Sequence, residues 1–283
     1  MGGTEKNYVY EAFEQNWLST VGPNLTELEK EFSMLTGMPS VALASGTASL
    51  HLGLKLLGIK PGDEVVVPTL TFAAGCNPVS YEGGVPVLID SERETWNLDP
   101  QRLSDFLSER ARRNRLPKVI TVAHLFGQSA DLDSILELCH RYELPLLEDA
   151  AESLGSTYKG RYTGCWGRVS ALSFNGNKII TTGGGGAILT QDADLARQAK
   201  HLSTTAKEPH PWRYFHDIKG YNYRLPNINA ALGCAQLEQL PEFIQKKRDL
   251  SACYKKEFDD YPGIKFFQEP EFAKSNYWLN VLL

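Results

Sequence analysis

The stretch 169–191, VSALSFNGNKIITTGGGGAILTQ, joins two short apolar runs through a polar turn that contains a single lysine, Lys178. The runs 169–174 and 186–191 have the length and the continuous apolar character of strands that are buried on both faces of a sheet. The glycines 183–186 allow the backbone to approach another group closely. Lys178 is therefore either a solvated surface side chain or part of a site, and the surrounding sequence must distinguish the two interpretations.

Short apolar runs of the same kind recur along the chain and alternate with helical patterns. The runs that predict further strands are 40–45, 64–68, 85–90, 118–127 and 144–150. The periodic patterns that predict helices are 24–36, 46–58, 131–142, 192–203 and 227–260, and the last is interrupted at Pro241. This alternation predicts an α/β fold in which a mostly parallel sheet is covered by helices on both faces.

The composition is typical of a soluble globular protein. Of the 283 residues, 42% are hydrophobic and 22% are charged, and the formal net charge is −5. Nothing in this charge balance indicates a protein that binds nucleic acid or an anionic membrane. No apolar run reaches the ~18–20 residues that a membrane span needs, and the N-terminal residues lack the apolar core of a secretory signal.

Cysteine and histidine usage bears on the compartment and on metal binding. The five cysteines are dispersed, with no CxxC spacing: Cys76, Cys139, Cys165, Cys234 and Cys253. We therefore expect reduced thiols and a cytoplasmic location. The six histidines show no spacing typical of metal ligands, so we expect no metal site.

The last nine residues, 275–283 (SNYWLNVLL), are rich in aromatic and β-branched side chains and predict the beginning of a strand. A domain rarely ends on an unpaired apolar strand. We therefore expect that the chain is truncated or that a C-terminal part is missing.

Polar signatures follow three of the predicted strands, where ligands of parallel sheets usually bind. The first is Ser45, Gly46 and Thr47, which end one strand and open a helix. The free N–H groups and the dipole of a helix N-terminus favour an anion, and the two hydroxyl groups add donors. The alternative is that Ser45 is simply the N-cap of the helix.

The second signature is the acidic pair Glu148 and Asp149, at the end of the apolar run LPLL. A carboxylate at this position needs a partner, which can be a protonated ring nitrogen or a structural arginine or lysine. A paired-carboxylate mechanism of glycoside hydrolysis is disfavoured, because adjacent residues of a strand point to opposite faces.

The third signature is Lys178 itself, preceded by Ser173 and Asn175, which can donate hydrogen bonds to a phosphate. A lysine amine has a reference pKa of ~10.4 and is a poor nucleophile while it is protonated. Enclosure in a drier site would free it for Schiff-base chemistry.

Together the three signatures match the needs of one cofactor, pyridoxal phosphate. Its phosphate, its protonated pyridine nitrogen and its aldehyde would require an anion cradle, a carboxylate and a lysine. Phe72, after the strand EVVVP, could stack on the ring or could be a plain core residue.

The sequence resembles the DegT–StrS nucleotide-sugar aminotransferases, which belong to the fold-type I pyridoxal phosphate enzymes. The resemblance extends over nearly the whole chain, and its most specific motifs are WLSTVGPNLTELEKEF, ALASGTASLHLGL, PGDEVVVPTLTFAA, LPLLEDAAESLGSTYKGRYTGCWG, SFNGNKIITTGGGGAILT and GYNYRLPNINAALGCAQLEQL. It departs from many relatives at Gly184, where they have glutamate, and at Asn175, where they have histidine or tyrosine. Both departures bear on the subfamily, and neither removes a catalytic group.

The resemblance implies a role for each matching position. Lys178 would bind the cofactor as a Schiff base and move a proton between substrate and cofactor carbons, and Asp149 would pair with the pyridine nitrogen. Glu152 would contact the ring hydroxyl. The remaining implied contacts are Gly46, Thr47, Ser173 and Asn175 with the phosphate, Phe72 with the ring face, and Asn222 with the phosphate bound by the partner subunit of a homodimer.

The resemblance also implies a large cofactor-binding domain, 1–240, and a small C-terminal domain that begins at 241–283 and is largely missing. It implies transfer of an amino group from glutamate to a nucleotide-linked 4-keto-6-deoxy sugar for a surface glycan. A UDP-linked N-acetyl sugar is the expected acceptor, and a GDP-linked sugar of perosamine synthesis is the alternative.

Two interpretations from other classes remain open. One is a dehydratase of the same fold, which Lys178 argues against because those relatives have histidine there. The other is a non-catalytic regulatory or binding protein.

Overall fold

The computed structural model describes residues 1–283 and has a seven-stranded sheet at its centre. The strand order across this sheet is β3-β2-β4-β5-β8-β9-β1. Its strands are β1 Ser40–Leu43, β2 Glu64–Pro68, β3 Val85–Ile89, β4 Val119–Ala123, β5 Leu146–Asp149, β8 Val169–Ser173 and β9 Gly186–Leu189. A separate three-stranded sheet contains β6 Thr157–Tyr158, β7 Arg161–Tyr162 and β10 Ala273–Lys274.

The central sheet is mostly parallel, as the sequence predicts. Every neighbouring pair from β3 to β8 is parallel, whereas β9 is antiparallel to both of its neighbours, β8 and β1. The register pairs Ala123 with Asp149 and Asp149 with Ala171. The residues that follow these strands therefore emerge side by side at one edge of the sheet.

Helices cover both faces of the sheet. They are α1 Glu5–Glu14, α2 Pro23–Thr36, α3 Gly46–Leu56, α4 Asn77–Tyr81, α5 Pro100–Arg112, α6 Leu132–Tyr142, α7 Ala193–Ser203, α8 Asn227–Leu237 and α9 Leu240–Phe258. Strand β2 shows why its sequence is continuously apolar: Val66 packs with residues of α5 and α6, and Val65 and Val67 pack with residues of α3 on the other face. The α/β architecture predicted from the sequence is confirmed.

Helix α3 begins where the sequence predicts, close against β8. The Ser45 hydroxyl accepts a hydrogen bond from the Ala48 N–H at 3.0 Å and so caps the helix. A Cβ atom on Gly46 would lie 2.7 Å from Ser173 Cβ, so only glycine allows this approach of helix and strand.

The predicted break of the long C-terminal helical pattern is also present. Helix α8 ends at Leu237 and α9 begins at Leu240, with Pro241 in the first turn of α9, where a missing N–H costs nothing.

The strand predicted at 275–283 is wrong. These residues form no strand, but an isolated bridge pairs Phe266 with Leu282, and backbone hydrogen bonds join residues 265 and 267 to residues 283 and 281. The Asn276 side chain instead donates hydrogen bonds to the backbone oxygens of Glu152 (2.9 Å) and Leu154 (3.0 Å).

None of the helices combines the length and the apolar character required to span a membrane. The division into domains 1–240 and 241–283 stays a prediction.

Candidate active site

A cavity of about 330 Å³ opens at the carboxyl edge of the central sheet. Its lining includes eight of the nine residues predicted to bind the cofactor: Gly46, Thr47, Phe72, Asp149, Glu152, Ser173, Asn175 and Lys178. The ninth, Asn222, lies outside the cavity on the exposed surface. Side chains far apart in sequence therefore meet in one place because their strands end at one edge.

The N-terminus of α3 forms one wall of the cavity, through Gly46 and Thr47. The first N–H groups of a helix have no partner within the helix, and the helix dipole makes this end positive. Ser45 caps the helix and also lines the cavity. The capping interpretation and the anion-site interpretation are thus compatible, and this wall is suited to a phosphate.

Asp149 is buried at the base of the cavity, with 8% of its surface exposed. Its carboxylate accepts one hydrogen bond, from the Ala151 N–H at 3.1 Å, and forms no ion pair with an arginine or lysine. Burial raises the pKa of Asp149, although that hydrogen bond and the positive charge of Lys178 partly oppose the shift. The interpretation in which a structural arginine or lysine pairs with Asp149 therefore finds no support. The carboxylate faces the cavity and has no ion-pair partner.

Glu148 points to the opposite face of β5 and is fully buried. It accepts hydrogen bonds from His124 Nε2 (2.9 Å), from the Ser170 hydroxyl (3.1 Å) and from backbone N–H groups, which are those of Gly164, Trp166 and Gly167. Burial alone would raise its pKa, but these bonds, with His124 the strongest, hold the pKa below its usual value. Glu148 is a structural anchor, which removes the paired-carboxylate interpretation.

Lys178 reaches into the cavity and its side chain is only 13% exposed. Its Nζ lies 3.6 Å from Glu152 Oε1 and 3.9 Å from the centre of the Trp278 ring. Burial lowers the pKa of Lys178, and the carboxylates of Glu152 and Asp149 partly oppose this. Lys178 is therefore not a solvated surface side chain, and its amine is more easily deprotonated than that of an ordinary lysine.

Glu152 is held in place by its second oxygen. Glu152 Oε2 accepts the Phe126 N–H at 2.7 Å, which leaves Oε1 facing Lys178. Burial raises the pKa of Glu152, and the charge of Lys178 opposes this shift. The carboxyl group is thus positioned to exchange a hydrogen bond with a polar ligand or with the lysine.

Phe72 and Asn222 differ in their relation to the cavity. Phe72 is 70% exposed at the cavity mouth, so the core-residue interpretation is wrong. Asn222 is exposed between Tyr221 and Tyr223, whose rings stack on each other at 5.0 Å.

Among the lining residues that the sequence predictions do not include, His124 and Trp278 have large side chains with polar or aromatic character. His124 directly follows β4 at the same sheet edge, so its position could have indicated it. Trp278 had no comparable signal, because it lies in an irregular segment about a hundred residues beyond Lys178 in the chain.

One group of potential metal ligands lies away from the cavity. The ligand atoms of His201, Glu208 and Asp217 are all within 4.8 Å of one another, and His201 Nε2 is already 2.7 Å from Asp217 Oδ1. The expected absence of a metal site stays a prediction.

The donor set of the cavity fits pyridoxal phosphate. A helix N-terminus and hydroxyl groups suit its phosphate. A buried carboxylate without a cationic partner suits a protonated pyridine nitrogen, and a lysine with a lowered pKa suits its aldehyde.

Comparisons with known proteins agree with this chemistry. The family described as the DegT/DnrJ/EryC1/StrS aminotransferase family matches residues 1–283. The chain is 44% identical over 283 residues to the putative pyridoxal phosphate-dependent aminotransferase EpsN of Bacillus subtilis, covering all of this chain and 73% of that protein. It is 38% identical to a GDP-perosamine synthase of Escherichia coli O157:H7, covering 99% of this chain and 75% of that one.

A solved structure extends the comparison to the fold. The pyridoxal phosphate form of the putative sugar aminotransferase Spr1654 from Streptococcus pneumoniae superposes with a TM-score of 0.91 at 26% identity, covering all of this chain and 76% of that one. The predictions of a fold-type I architecture, of an enzyme and of its cofactor are confirmed. The chain belongs to the DegT/DnrJ/EryC1/StrS aminotransferase family and is a pyridoxal phosphate-dependent sugar aminotransferase.

Proposed function

We propose that the enzyme transfers an amino group from glutamate to C4 of a nucleotide-linked 4-keto-6-deoxy sugar. The observation that carries this proposal is the pairing, in one cavity, of a lysine with a lowered pKa and a buried carboxylate that has no fixed cation. Lys178 and Asp149 are its catalytic residues. When it is bound, pyridoxal phosphate supplies an electron-accepting ring that stabilises negative charge on the reacting carbon.

Residues of the cavity wall hold the cofactor. Gly46 and Thr47 offer N–H and hydroxyl donors to the phosphate at the start of α3, and Ser173 and Asn175 offer donors from the end of β8. Phe72 covers one face of the ring from the cavity mouth. Each of these groups lies on or directly beside a helix or strand end, which fixes the cofactor relative to the sheet.

Asp149 and Glu152 control the charge state of the ring. Asp149 stays ionised when a protonated pyridine nitrogen lies beside it, because that cation offsets the cost of burial. Glu152 would contact the ring hydroxyl, and its Oε1, which faces Lys178, is the oxygen available for that contact.

Lys178 transfers the proton of the reaction. The neutral amine at Nζ would accept the proton that leaves the substrate and would give the same proton back later, so the lysine would end each half-reaction unchanged. Its low exposure keeps bulk water away from Nζ, which protects this proton from exchange.

The exposed positions of Asn222 and Phe72 support a homodimer with shared active sites. Asn222 is exposed and lies outside the cavity of its own chain, and we propose that it binds the phosphate of the cofactor held by the partner subunit. The exposed position of Phe72 agrees with a site that a second subunit covers. We also propose a cytoplasmic enzyme whose product enters a surface glycan, and a second, smaller domain that begins near residue 241.

Two sugar nucleotides are candidate acceptors. The stretch SFNGNKIITT followed by glycines is typical of enzymes that act on a UDP-linked 4-keto-6-deoxy-N-acetyl sugar, and this remains the first candidate. A GDP-linked 4-keto-6-deoxy sugar is the second, because the Escherichia coli O157:H7 relative at 38% identity is named GDP-perosamine synthase.

The test is to incubate the reconstituted enzyme with glutamate and each of the two sugar nucleotides, and to identify products by mass and NMR. We expect one acceptor to gain an amine at C4, with equimolar 2-oxoglutarate released. Lys178→Ala, loaded with the same cofactor, is the matched control and should give no product. If neither acceptor is aminated while glutamate still converts the cofactor, the acceptor class proposed here is wrong.

A further inference from the structure

Trp278 is the one large aromatic side chain that covers the reactive amine. Its ring centre lies 3.9 Å from Lys178 Nζ, and only 7% of the residue is exposed. The Glu152 carboxylate lies 3.6 Å from the same nitrogen, so the ring and the carboxylate both contact the lysine head. Both attract a positive charge, the carboxylate by its ionic charge and the indole by the negative face of its ring.

Hydrogen bonds fix the position of this ring. The indole Nε1 donates to the Asn177 backbone oxygen at 2.6 Å, so the tryptophan is bound to the residue that precedes the lysine. The Trp278 backbone N–H donates to the Asn276 side-chain oxygen at 2.8 Å. Asn276 in turn donates to the Glu152 backbone oxygen at 2.9 Å. One short segment therefore links the lysine, its carboxylate partner and the aromatic cover.

We propose that Trp278 is a positioning residue that holds the Lys178 amine beside Glu152 in the steps in which that amine is detached from the cofactor and carries a proton. This rests on the proposed role of Lys178 in binding the cofactor and moving the proton. In the proposed reaction the detached amine would accept one proton from carbon and would give the same proton back to carbon. A mobile four-carbon side chain would spend much of that time in wrong orientations, and the ring restricts it.

The charged groups near Lys178 are the carboxylates of Glu152 and Asp149, whereas the Trp278 side chain carries no ionic charge. Glu152 and Asp149 both raise the pKa of the lysine, against the opposite effect of burial. Replacing Trp278 by another apolar residue therefore changes no ionic charge and mainly removes the aromatic face.

The first experiment measures the lysine in the cofactor-free protein. The variants are Trp278→Phe, which keeps a ring face and loses the bond to Asn177, and Trp278→Leu, which keeps apolar cover and loses the ring. The control is Trp166→Leu, which removes an indole packed on Tyr158 away from the cavity. Competitive acetylation across pH, quantified by mass spectrometry, gives the pKa of Lys178 in each protein.

We expect Trp278→Leu to lower the pKa of Lys178 by about half a unit or more, because the ammonium form loses its aromatic contact. Trp278→Phe should shift it less, and Trp166→Leu should not shift it. A pKa in Trp278→Leu that equals or exceeds that of the unsubstituted protein overturns the proposal. If Trp278→Leu does not fold, Trp278→Met provides the same measurement.

The second experiment follows the reconstituted enzyme reacting with glutamate that carries deuterium at its α-carbon. We expect Trp278→Leu to lower kcat about 10–100-fold with little change in KM, and to enlarge the isotope effect because proton transfer becomes limiting. A lower rate with an unchanged isotope effect would mean a merely structural role and would refute the inference. Turnover by Lys178→Ala would instead refute the proposed function of the lysine, so the two failures are distinguishable.

Discussion

Asp149 provides the sharpest test of the site, because its replacement should stabilise the protein while it weakens function. In the cofactor-free protein the carboxylate is buried, accepts one hydrogen bond and lacks an ion-pair partner. Burial raises its pKa above the usual value of 3.8. Asp149→Asn has the same shape, can still accept the Ala151 N–H and carries no charge at any pH.

The sign of the effect follows from proton binding. A carboxyl group whose pKa is higher in the folded state binds protons more tightly there, so stability is greatest below the unfolded pKa near 3.8 and falls as pH rises through the folded pKa. We expect Asp149→Asn to gain about 1–2 kcal/mol at pH 7. In a protein of this size that raises Tm by about 2–4 °C for each kcal/mol.

The assay is thermal unfolding of the cofactor-free proteins from pH 4 to pH 8, repeated with saturating pyridoxal phosphate. The advantage of Asp149→Asn should grow with pH in the absence of cofactor. It should shrink or reverse with cofactor, because only the aspartate gains a cationic partner. The exposed Asp105→Asn is the control and should move Tm by less than the equivalent of about 0.5 kcal/mol. A variant that is no more stable at pH 7, or whose advantage does not depend on pH, refutes the reasoning.

Three further substitutions test other parts of the site. Lys178→Ala should keep its fold by circular dichroism but lose turnover, and borohydride should no longer fix the cofactor; normal turnover would contradict its role. Glu148→Gln should lower the free energy of unfolding at pH 7 by about 1–3 kcal/mol, because one carboxylate oxygen becomes an NH2 group and the groups that donate to that oxygen lose their acceptor. Because the pKa of Glu148 is lowered, this loss of unfolding free energy should shrink as pH falls below about 4.5. A loss that does not change with pH would contradict a stabilising role of the ionised carboxylate. Phe72→Leu should raise the Kd of pyridoxal phosphate about 2–10-fold, measured by absorbance titration, because the stacking ring is lost. An unchanged Kd would mean that Phe72 does not stack on the cofactor.

The sequence predicts the central sheet well because burial on both faces leaves a readable pattern. The stretches 65–67 and 144–147 are continuously apolar, and in the structure they belong to β2, beside the edge strand β3, and to β5, the middle strand of the sheet. Asp149 and Lys178 could be predicted because a carboxylate and an amine at strand ends are costly unless they meet a ligand.

The C-terminal segment could not be predicted in the same way. Its aromatic and β-branched residues favour a strand locally, yet Asn276 is held by side-chain hydrogen bonds, and backbone pairing is limited to a short bridge near 281–283. The position of Trp278 depends on these long-range bonds, which span more than a hundred residues of sequence. No local pattern carries that information, so the aromatic cover of Lys178 became visible only in the fold.

The neighbours Glu148 and Asp149 lie on one strand but have different surroundings, the interior of the fold for Glu148 and the cavity for Asp149. Both are buried carboxylates, but the first meets donors that belong to the fold, and its pKa is lowered. The second faces a cavity whose partner must come from outside, and its pKa is raised. Strand alternation alone gives the two side chains opposite surroundings. In the proposed function, the raised pKa of Asp149 reflects an electrostatic cost that a cationic ring nitrogen would relieve, and this relief would contribute to the affinity for the cofactor.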